Sequence, residues 1–413
     1  MESTELYQQI LGLREPWYVA AVDLDANAAT VTIQLAHRTG KNLFQCPHCQ
    51  QGAPVYDHSD TRTWRHLDTC QFETLLQAQV PRVNCTKCGV HTVRVPWAEP
   101  GGRFTLLFES FAIDVLLTAQ VQSRAAQLLR LSPEQVGSLL GRAVARGLRR
   151  RSQTRAVPHV LLDEKSLHRG HDYVSILSDG TQGAVLEVVA ERTTQASKSL
   201  FEQGLSPAQR ASVEVVTLDM WEPFAQASRE QVPQAAQVYD RFHLSKHLNA
   251  AVDQTRRAEN KRLRAQGDKS LNRTRYLWLR DPSTLDESQQ AQLAELADRD
   301  LQTVAVWGLK EEFRTFFACQ TVAEATEFFQ DWQQRVKELG NTALQKVATM
   351  FERHWSGLVA YIEHRVTNAM AESLNTQIQL LKAKARGFRE ASGFRRAILF
   401  HMGQLDLYPH ELR

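Results

Sequence analysis

Four of the six cysteines fall into two knuckles, Cys46-Pro-His-Cys49 and Cys85-Thr-Lys-Cys88, and nothing else in the chain restricts its folding as tightly. A Cys-x-x-Cys turn aims two thiolates at one point, and two such turns supply the four sulfur ligands of a tetrahedral Zn²⁺. Strand-like runs surround them at Val31–Leu35, Thr74–Val80 and His91–Val95. This pattern predicts a zinc ribbon, with an extended hairpin between the knuckles and one structural Zn²⁺ on Cys46, Cys49, Cys85 and Cys88. A disulfide reading would need an oxidising compartment, and a thioredoxin-like redox site would need a single pair in another context. The N-terminus, Met1-Glu-Ser-Thr-Glu5, is acidic and polar rather than a secretory leader, and no long uncharged apolar run occurs. A cytosolic protein without a membrane span is therefore expected. Cys70 and Cys319 stand apart from the knuckles and are read as buried or incidental.

At 413 residues the chain is long for one hydrophobic core and suggests about three domains at ~150 residues each. With 43% hydrophobic and 23% charged residues it cannot be a collagen, a coiled-coil rod, a disordered chain or a disulfide miniprotein. The net charge of +3 says little, but its distribution says more. Between Gly141 and Arg155 lie six arginines (142, 146, 149, 150, 151 and 155) and no carboxylate, and from Leu380 to Arg396 six Lys or Arg oppose Glu390 alone. Such stretches suit contact with a polyanion, most often nucleic acid, although each alone also fits a solvated helix face.

A helical segment is expected from about Leu106 to Arg151. Within it, Ser123-Arg-Ala-Ala-Gln-Leu-Leu-Arg-Leu-Ser-Pro-Glu-Gln-Val136 and the following Gly137-Ser-Leu-Leu-Gly-Arg142 have the layout of a helix-turn-helix. Ala126, Leu128 and Leu129 give the first helix an apolar side. Leu131-Ser132 makes the turn, Ser132 is an N-cap with Pro133 at the first helical position, and Gln135 completes a capping box. Val136, Leu139, Leu140 and Val144 then face inward. Such a unit could place its second helix in a major groove, though many helical hairpins bind no DNA.

The middle of the chain changes period. Val157–Leu162 reads as a buried strand ending at Asp163-Glu164. Tyr173–Leu177 and Ala184–Ala190 are two more strands, the first closing on Ser178-Asp179-Gly180. Helices at Ser197–Gly204 and Ser206–Ala211 precede a fourth strand, Val213–Leu218, ending at Asp219. A helix over Glu222–Gln231 leads to a fifth strand, Ala236–Tyr239, ending at Asp240. Three strands, helix, strand, helix and a short strand is the order of a ribonuclease-H-like core, whose first, fourth and fifth strands each deliver an aspartate. Clustered carboxylates repel, and a pair of Mg²⁺ ions both relieves that repulsion and suits phosphodiester chemistry. Any one of these aspartates could equally be a helix cap or turn residue. After Asp240 comes mostly helical sequence: a basic helix from His243 to about Ala265, another from Pro282-Ser-Thr-Leu-Asp-Glu287 to about Thr303, and more to Ile362. Trp307, Trp332 and Trp355 are read as core residues. The next carboxylate of interest is Glu372.

Taken together, these blocks resemble the insertion-sequence transposases of the ISL-three type. The resemblance is carried by the two knuckles, by Asp163-Glu-Lys-Ser166 with Arg169-Gly-His-Asp-Tyr173, by Leu218-Asp-Met-Trp-Glu-Pro-Phe224 and by Tyr239-Asp-Arg-Phe-His-Leu244. Thr274-Arg-Tyr-Leu-Trp-Leu279, Thr367-Asn-Ala-Met-Ala-Glu-Ser-Leu-Asn375 and Lys384-Ala-Arg-Gly-Phe388 complete it, so it spans nearly the whole chain.

The resemblance implies a DDE triad of Asp163, Asp219 and Glu372 holding two Mg²⁺ (or Mn²⁺) ions. Asp240-Arg-Phe-His243 looks like the Cys/Asp-x-x-His motif of Mutator-like transposases, with Asp240 and His243 in a supporting role. Asp240 also ends a strand, which leaves open whether it or Asp219 is the second metal ligand. The implied chemistry is hydrolysis at transposon ends followed by attack of the freed 3′-hydroxyl on target DNA. Arg142, Arg146, Arg149, Arg150 and Arg151 are expected on phosphates, and Lys382, Lys384, Arg386 and Arg389 on the DNA backbone near the metals. A homodimer or larger assembly on DNA is implied, in the bacterial cytoplasm. The expected multidomain α/β fold has a zinc-ribbon domain at 1–103, a helix-turn-helix at 104–155, a catalytic core at 156–245 and 363–413, and a helical insertion at 246–362. A regulator or domesticated transposase that binds DNA without catalysis would keep the N-terminal half alone in use, and a structure-specific nuclease would cut without joining.

Overall fold

The computed structural model describes residues 2–38, 40, 44–119, 121–168, 172–366 and 369–409; Arg169, Gly170, His171, Thr367 and Asn368 of the blocks above lie outside the described residues. The chain forms two compact units, Met1–Arg151 with Leu405–Arg413, and Ser152–Gln404. Among the described residues no helix is long and apolar enough to cross a membrane.

The first unit begins with α1 (Ser3–Ile10) and seven strands: β1 (Trp17–Asp25), β2 (Thr30–His37), β3 (Phe44–Gln45), β4 (Gly52–Ala53), β5 (Val55–Arg65), β6 (Glu73–Cys85) and β7 (Gly89–Thr92). The main sheet has the order β1-β2-β6-β5, with β7 paired to the far end of β6, and β3-β4 form a separate ribbon. Period-two patterning sets the buried face: Val31, Ile33 and Leu35 on β2 and Thr74, Leu76, Ala78 and Val80 on β6 are all buried. The antiparallel β5–β6 pair is the hairpin expected between the knuckles.

Three helices follow, α2 (Leu106–Ala119), α3 (Gln122–Leu129) and α4 (Pro133–Arg150). The start of α4 is the expected capping box: Ser132 Oγ accepts from Gln135 N at 3.3 Å, and Gln135 Oε1 accepts from Ser132 N at 2.8 Å. Val136, Leu139, Leu140 and Val144 are buried as the period predicts. Leu128 is not; it is 73% exposed, because the apolar side of α3 is narrower and runs through Ala125, Ala126 and Leu129.

Strand hairpin and helices do not fold apart. Arg130, whose left-handed φ of 53° ends α3, donates to Gln71 O at 3.0 Å and pairs with Asp68. His66 Nδ1 lies 2.8 Å from Thr105 Oγ1. Arg146 is the centre of this unit. It is 2% exposed, forks onto Glu99 at 2.8 and 2.7 Å, pairs with Glu109 at 2.5 Å and donates to Leu407 O. The end of the chain, expected with the catalytic core, instead groups with this unit: Arg150 donates to Tyr408 O at 2.6 Å and Tyr408 Oη to Asp114 Oδ1 at 2.6 Å. Gly147 is required there, since a Cβ would collide with Leu405.

In the second unit β8 (His159–Ser166), β9 (Tyr173–Asp179) and β10 (Ala184–Ala190) form an antiparallel meander. Then come α5 (Thr194–Gly204), α6 (Pro207–Ala211), β11 (Val215–Leu218), α7 (Glu222–Gln231) and β12 (Ala236–Tyr239). The sheet order is β10-β9-β8-β11-β12, and β11 runs parallel to both neighbours. Every residue of β11 is buried, as befits a central parallel strand covered on both faces. β8 runs past Asp163-Glu164 to Ser166, because its hairpin with β9 continues to the Ser166–Tyr173 pair.

The helical remainder comprises α8 (Arg241–Ala265), α9 (Arg275–Leu279), α10 (Glu287–Ala297), α11 (Gln302–Phe313), α12 (Val322–Leu339), α13 (Thr342–Arg353), α14 (Trp355–His364), α15 (Ala369–Lys384) and α16 (Ala391–Met402). The single helix expected over 282–303 is broken, since the segment between α10 and α11 reaches Leu301 in an extended conformation. α8 to α14 share one continuous buried core with the sheet, in which Trp332 is fully buried and Trp307 and Trp355 pack at the edge. The segment read as an insertion domain is therefore an integral wall of this unit.

Because Glu109 is 1% exposed, removing Arg146 strips a buried carboxylate of one of its two guanidinium partners, the other being Arg142. Arg146→Ala is expected to cost about 3–5 kcal/mol in calorimetry or urea unfolding of the full chain. Arg149→Ala, on the exposed side of α4, should stay within about 0.5 kcal/mol of wild type.

Candidate functional site

The two knuckles sit in the turns of short hairpins. β3–β4 encloses Cys46 and Cys49, and β6–β7 encloses Cys85 and Cys88, with Gly89 at φ 85° closing the second turn. The four sulfurs lie within 4.8 Å of one another, and Cys49 Sγ is 3.5 Å from Cys85 Sγ. Tetrahedral Zn–S bonds of about 2.3 Å require S···S edges near ~3.8 Å, so the cage fits the ion. Backbone amides of Lys87 and Cys88 donate to Cys85 and pull its thiol down to about 6, favouring the thiolate a metal needs. Cys88 is pushed up to about 12 by the proton it shares with Cys49, since close thiols cannot all ionise without a cation among them. Cys70 is exposed and Cys319 half-buried.

The second cluster follows from strand register. Leu161 of β8 pairs with Thr217 of β11, and Leu218 of β11 pairs with Tyr239 of β12. Continued past the last paired residues, these parallel registers would set Asp163, Asp219 and Asp240 level with one another, the last two just beyond the ends of β11 and β12. His243, on the first turn of α8, lies between the last two: Nδ1 is 3.2 Å from Asp219 Oδ1 and Nε2 is 3.7 Å from Asp240 Oδ2. Asp240 also caps α8, its Oδ1 accepting from Phe242 N at 2.8 Å. Burial raises its pKa, and the charges of Asp163 and Glu372 add to that push.

Glu372, on the first turn of α15, faces a cavity of about 400 Å³ whose walls include Thr217, Tyr239, Asp240, Phe242 and Tyr361. Glu164, next to Asp163, was not singled out from the sequence. Its pKa is raised by burial and by Asp219 and Asp163, against the pull of its partner Arg192, which stacks over Trp221 at 4.5 Å. Asn375, also not singled out, donates to Asp163 Oδ2. Its position in the same block as Glu372 was the available signal. Among the described residues only the cysteines bring three or more ligand atoms within 4.8 Å of one another; the carboxylates stand wider apart. Their donors are all hard oxygens, and their mutual repulsion is of the kind that a divalent cation such as Mg²⁺ relieves.

The basic residues divide sharply. Arg146 is buried in the ion-pair network described above and has no face for a phosphate. Arg142 pairs with Glu109 at 2.7 Å and stacks over Phe104, and Arg150 pairs with Asp406 at 3.1 Å. Arg151 and Lys384 are engaged as well. Lys382 donates to Ser166 O at 2.6 Å. Arg149, Arg386 and Arg389 are exposed.

The model of the ISL-three (ISL3) transposase family matches residues 160–398, and that for the zinc-finger of the IS204/IS1001/IS1096/IS1165 transposases matches residues 43–88. The chain thus belongs to the ISL-three family of transposases, enzymes that bind DNA and cut and transfer its strands. It is 27% identical to the transposase for insertion sequence element IS1557 of Mycobacterium tuberculosis, over 94% of this chain and 93% of that one. It is 24% identical to the transposase for insertion sequence element IS1001 of Bordetella parapertussis, over 88% and 90%.

Purified protein is expected to carry one zinc per chain by elemental analysis. Cys46→Ser or Cys88→Ser should lower zinc content and the melting temperature together, because metal binding and folding of such a cage are coupled. Full stability at zero zinc would contradict the cage.

Proposed function

We propose that this transposase recognises the terminal inverted repeats of an insertion sequence with its N-terminal unit, and cleaves and joins DNA strands at Asp163, Asp219 and Glu372 in a ribonuclease-H-like core. The carrying observation is the parallel β8–β11 register, paired as far as Leu161 and Thr217, which carried two residues on would set Asp163 level with Asp219, together with Glu372 on the wall of the cavity that Asp240 lines. The sheet order, three antiparallel strands followed by two parallel ones, fits that core.

Asp163, Asp219 and Glu372 would hold two Mg²⁺ or Mn²⁺ ions, which supply Lewis acidity for phosphodiester cleavage when bound. Asp219 is favoured over Asp240 as the second ligand. β11, which leads into Asp219, lies directly beside β8, whereas Asp240 follows β12, one strand farther out, and burial raises the Asp240 pKa. Asp240 and His243 then support the site, with His243 orienting the Asp219 carboxylate. In the first reaction water attacks a phosphodiester at the transposon end, breaking the bond to the 3′ oxygen and freeing a 3′-hydroxyl. In the second, that hydroxyl attacks a target phosphodiester and expels its 3′ oxygen, so no covalent protein–DNA link forms.

On the DNA side, α3 and α4 would act as a helix-turn-helix beside a zinc ribbon holding one structural Zn²⁺. Phosphate contacts fall to the exposed Arg149, Arg386 and Arg389. Because two ends must be processed together, a dimer or larger assembly on DNA is part of the proposal.

The test is Mg²⁺-dependent cleavage of end-sequence DNA. Asp163→Ala, Asp219→Ala and Glu372→Ala should each lose about 10³-fold or more in rate while still binding DNA. Asp240→Ala should lose about 1 kcal/mol of stability from the α8 cap yet keep measurable cleavage. A fully active Asp219→Ala with an inactive, folded Asp240→Ala would move the second ligand to Asp240.

A further inference from the structure

Both oxygens of Asp163 are held by protein donors. Oδ1 accepts the backbone N–H of Glu164 at 2.7 Å, Oδ2 accepts the side-chain amide of Asn375, and Lys165 Nζ stands 3.7 Å from Oδ2. The carboxylate is thereby fixed in one orientation. Its most distant partner comes from α15, three residues after Glu372 and so on the same side of that helix.

Two further polar contacts join the same stretches of chain in the same order. Lys382 Nζ donates to Ser166 O at 2.6 Å, and His168 Nε2 lies 2.8 Å from Phe388 O. From Asp163 to Ser166 a strand advances ~10 Å at about 3.3 Å per residue, and from Asn375 to Lys382 a helix advances ~10.5 Å at 1.5 Å per residue. The two spacings match, so both contacts form only in one register of α15 along β8. The helix also buries Ala371, Leu374, Ile378 and Leu381. Apolar burial of that kind holds surfaces together without direction, whereas a hydrogen bond to one fixed partner is lost on sliding by one turn.

We propose that Asn375 is a positioning residue of the catalytic site, which orients the Asp163 carboxylate and, through the same bond, sets the register that brings Glu372 to the cations, with Lys382 as a second pin. This rests on the reading of Asp163 and Glu372 as metal-holding carboxylates. Groups that orient metal ligands in this way change metal affinity or activity by about 10–100-fold when removed.

The experiment uses the full chain, wild type and Asn375→Ala, Asn375→Asp and the exchange Asp163→Asn with Asn375→Asp. Three properties are read: hydrogen exchange of α15 without metal, Mn²⁺ binding by electron paramagnetic resonance in the presence of end-sequence DNA, and cleavage. For Asn375→Ala the expected results are faster exchange in α15, a Mn²⁺ midpoint raised about 10–100-fold with end-DNA affinity retained, and cleavage recovered at high Mn²⁺. Asn375→Asp should do worse, since it sets two carboxylates against each other. The exchange rebuilds an amide–carboxylate bond and should restore α15 protection but not cleavage. Unchanged α15 exchange and an unchanged Mn²⁺ midpoint in folded Asn375→Ala would overturn the proposal. If Asn375→Ala does not fold, failure of the exchange to restore protection overturns it equally. Cleavage by the exchange variant would instead remove Asp163 from the metal site, a different failure from that of Asn375.

Discussion

The parallel pairing of β11 with both β8 and β12 is the constraint on which the rest of the second unit depends. It is short and wholly buried, and its register decides which residues of three strands end level with one another. A shift of one residue would turn the side chains of β11 to the opposite face and remove Asp219 from the row that Asp163 begins. Burial of Val215–Leu218 therefore does more than stabilise a sheet: it selects the arrangement that concentrates negative charge at one edge. Burial is the main reason the pKa values of Glu164 and Asp240 are raised, and the neighbouring carboxylates add to it.

Much of this was legible from local pattern. Ala184–Ala190, Glu222–Gln231 and Ala236–Tyr239 form over the residues that periodicity and turn chemistry select, and the Ser132–Gln135 capping box is bonded in both directions. Ligand spacing in the knuckles predicted the sulfur cage because each Cys-x-x-Cys turn is a local structure. The long-range features were not legible in the same way. The basic run around Arg146 reads as a phosphate-binding surface in one dimension. Only the fold reveals that Glu99, Glu109 and the carbonyl of Leu407 surround that guanidinium. Lys382 likewise belongs to a basic stretch yet serves to dock α15 on β8. Charge density along a chain does not say which charges are neutralised within it.

The same distinction explains the domain organisation. Motif layout and the change of period suggested a separate ribbon, helical pair, core and insertion, but burial joins them differently. Arg130 ties α3 to the β5–β6 hairpin, the tail around Tyr408 straps α2 and α4, and the aromatic cluster of Phe313, Trp332 and Phe351 is continuous with the core beneath the sheet. A wall that shares its core with the sheet has less freedom to move than a tethered domain. Among the basic residues left on the outside are Arg149, Arg386 and Arg389.

The central claim is that Asp163, Asp219 and Glu372 converge on shared divalent cations, and local oxidative cleavage reads that convergence directly. With Fe²⁺ in place of Mg²⁺, and ascorbate and peroxide added to the complex with end-sequence DNA, the polypeptide should break at three separate places, beside residues 163, 219 and 372. Mg²⁺ in excess should suppress all three breaks together. Breaks beside 163 and 219 with none near 372 would show that the late helix does not complete the site, and the account would be wrong.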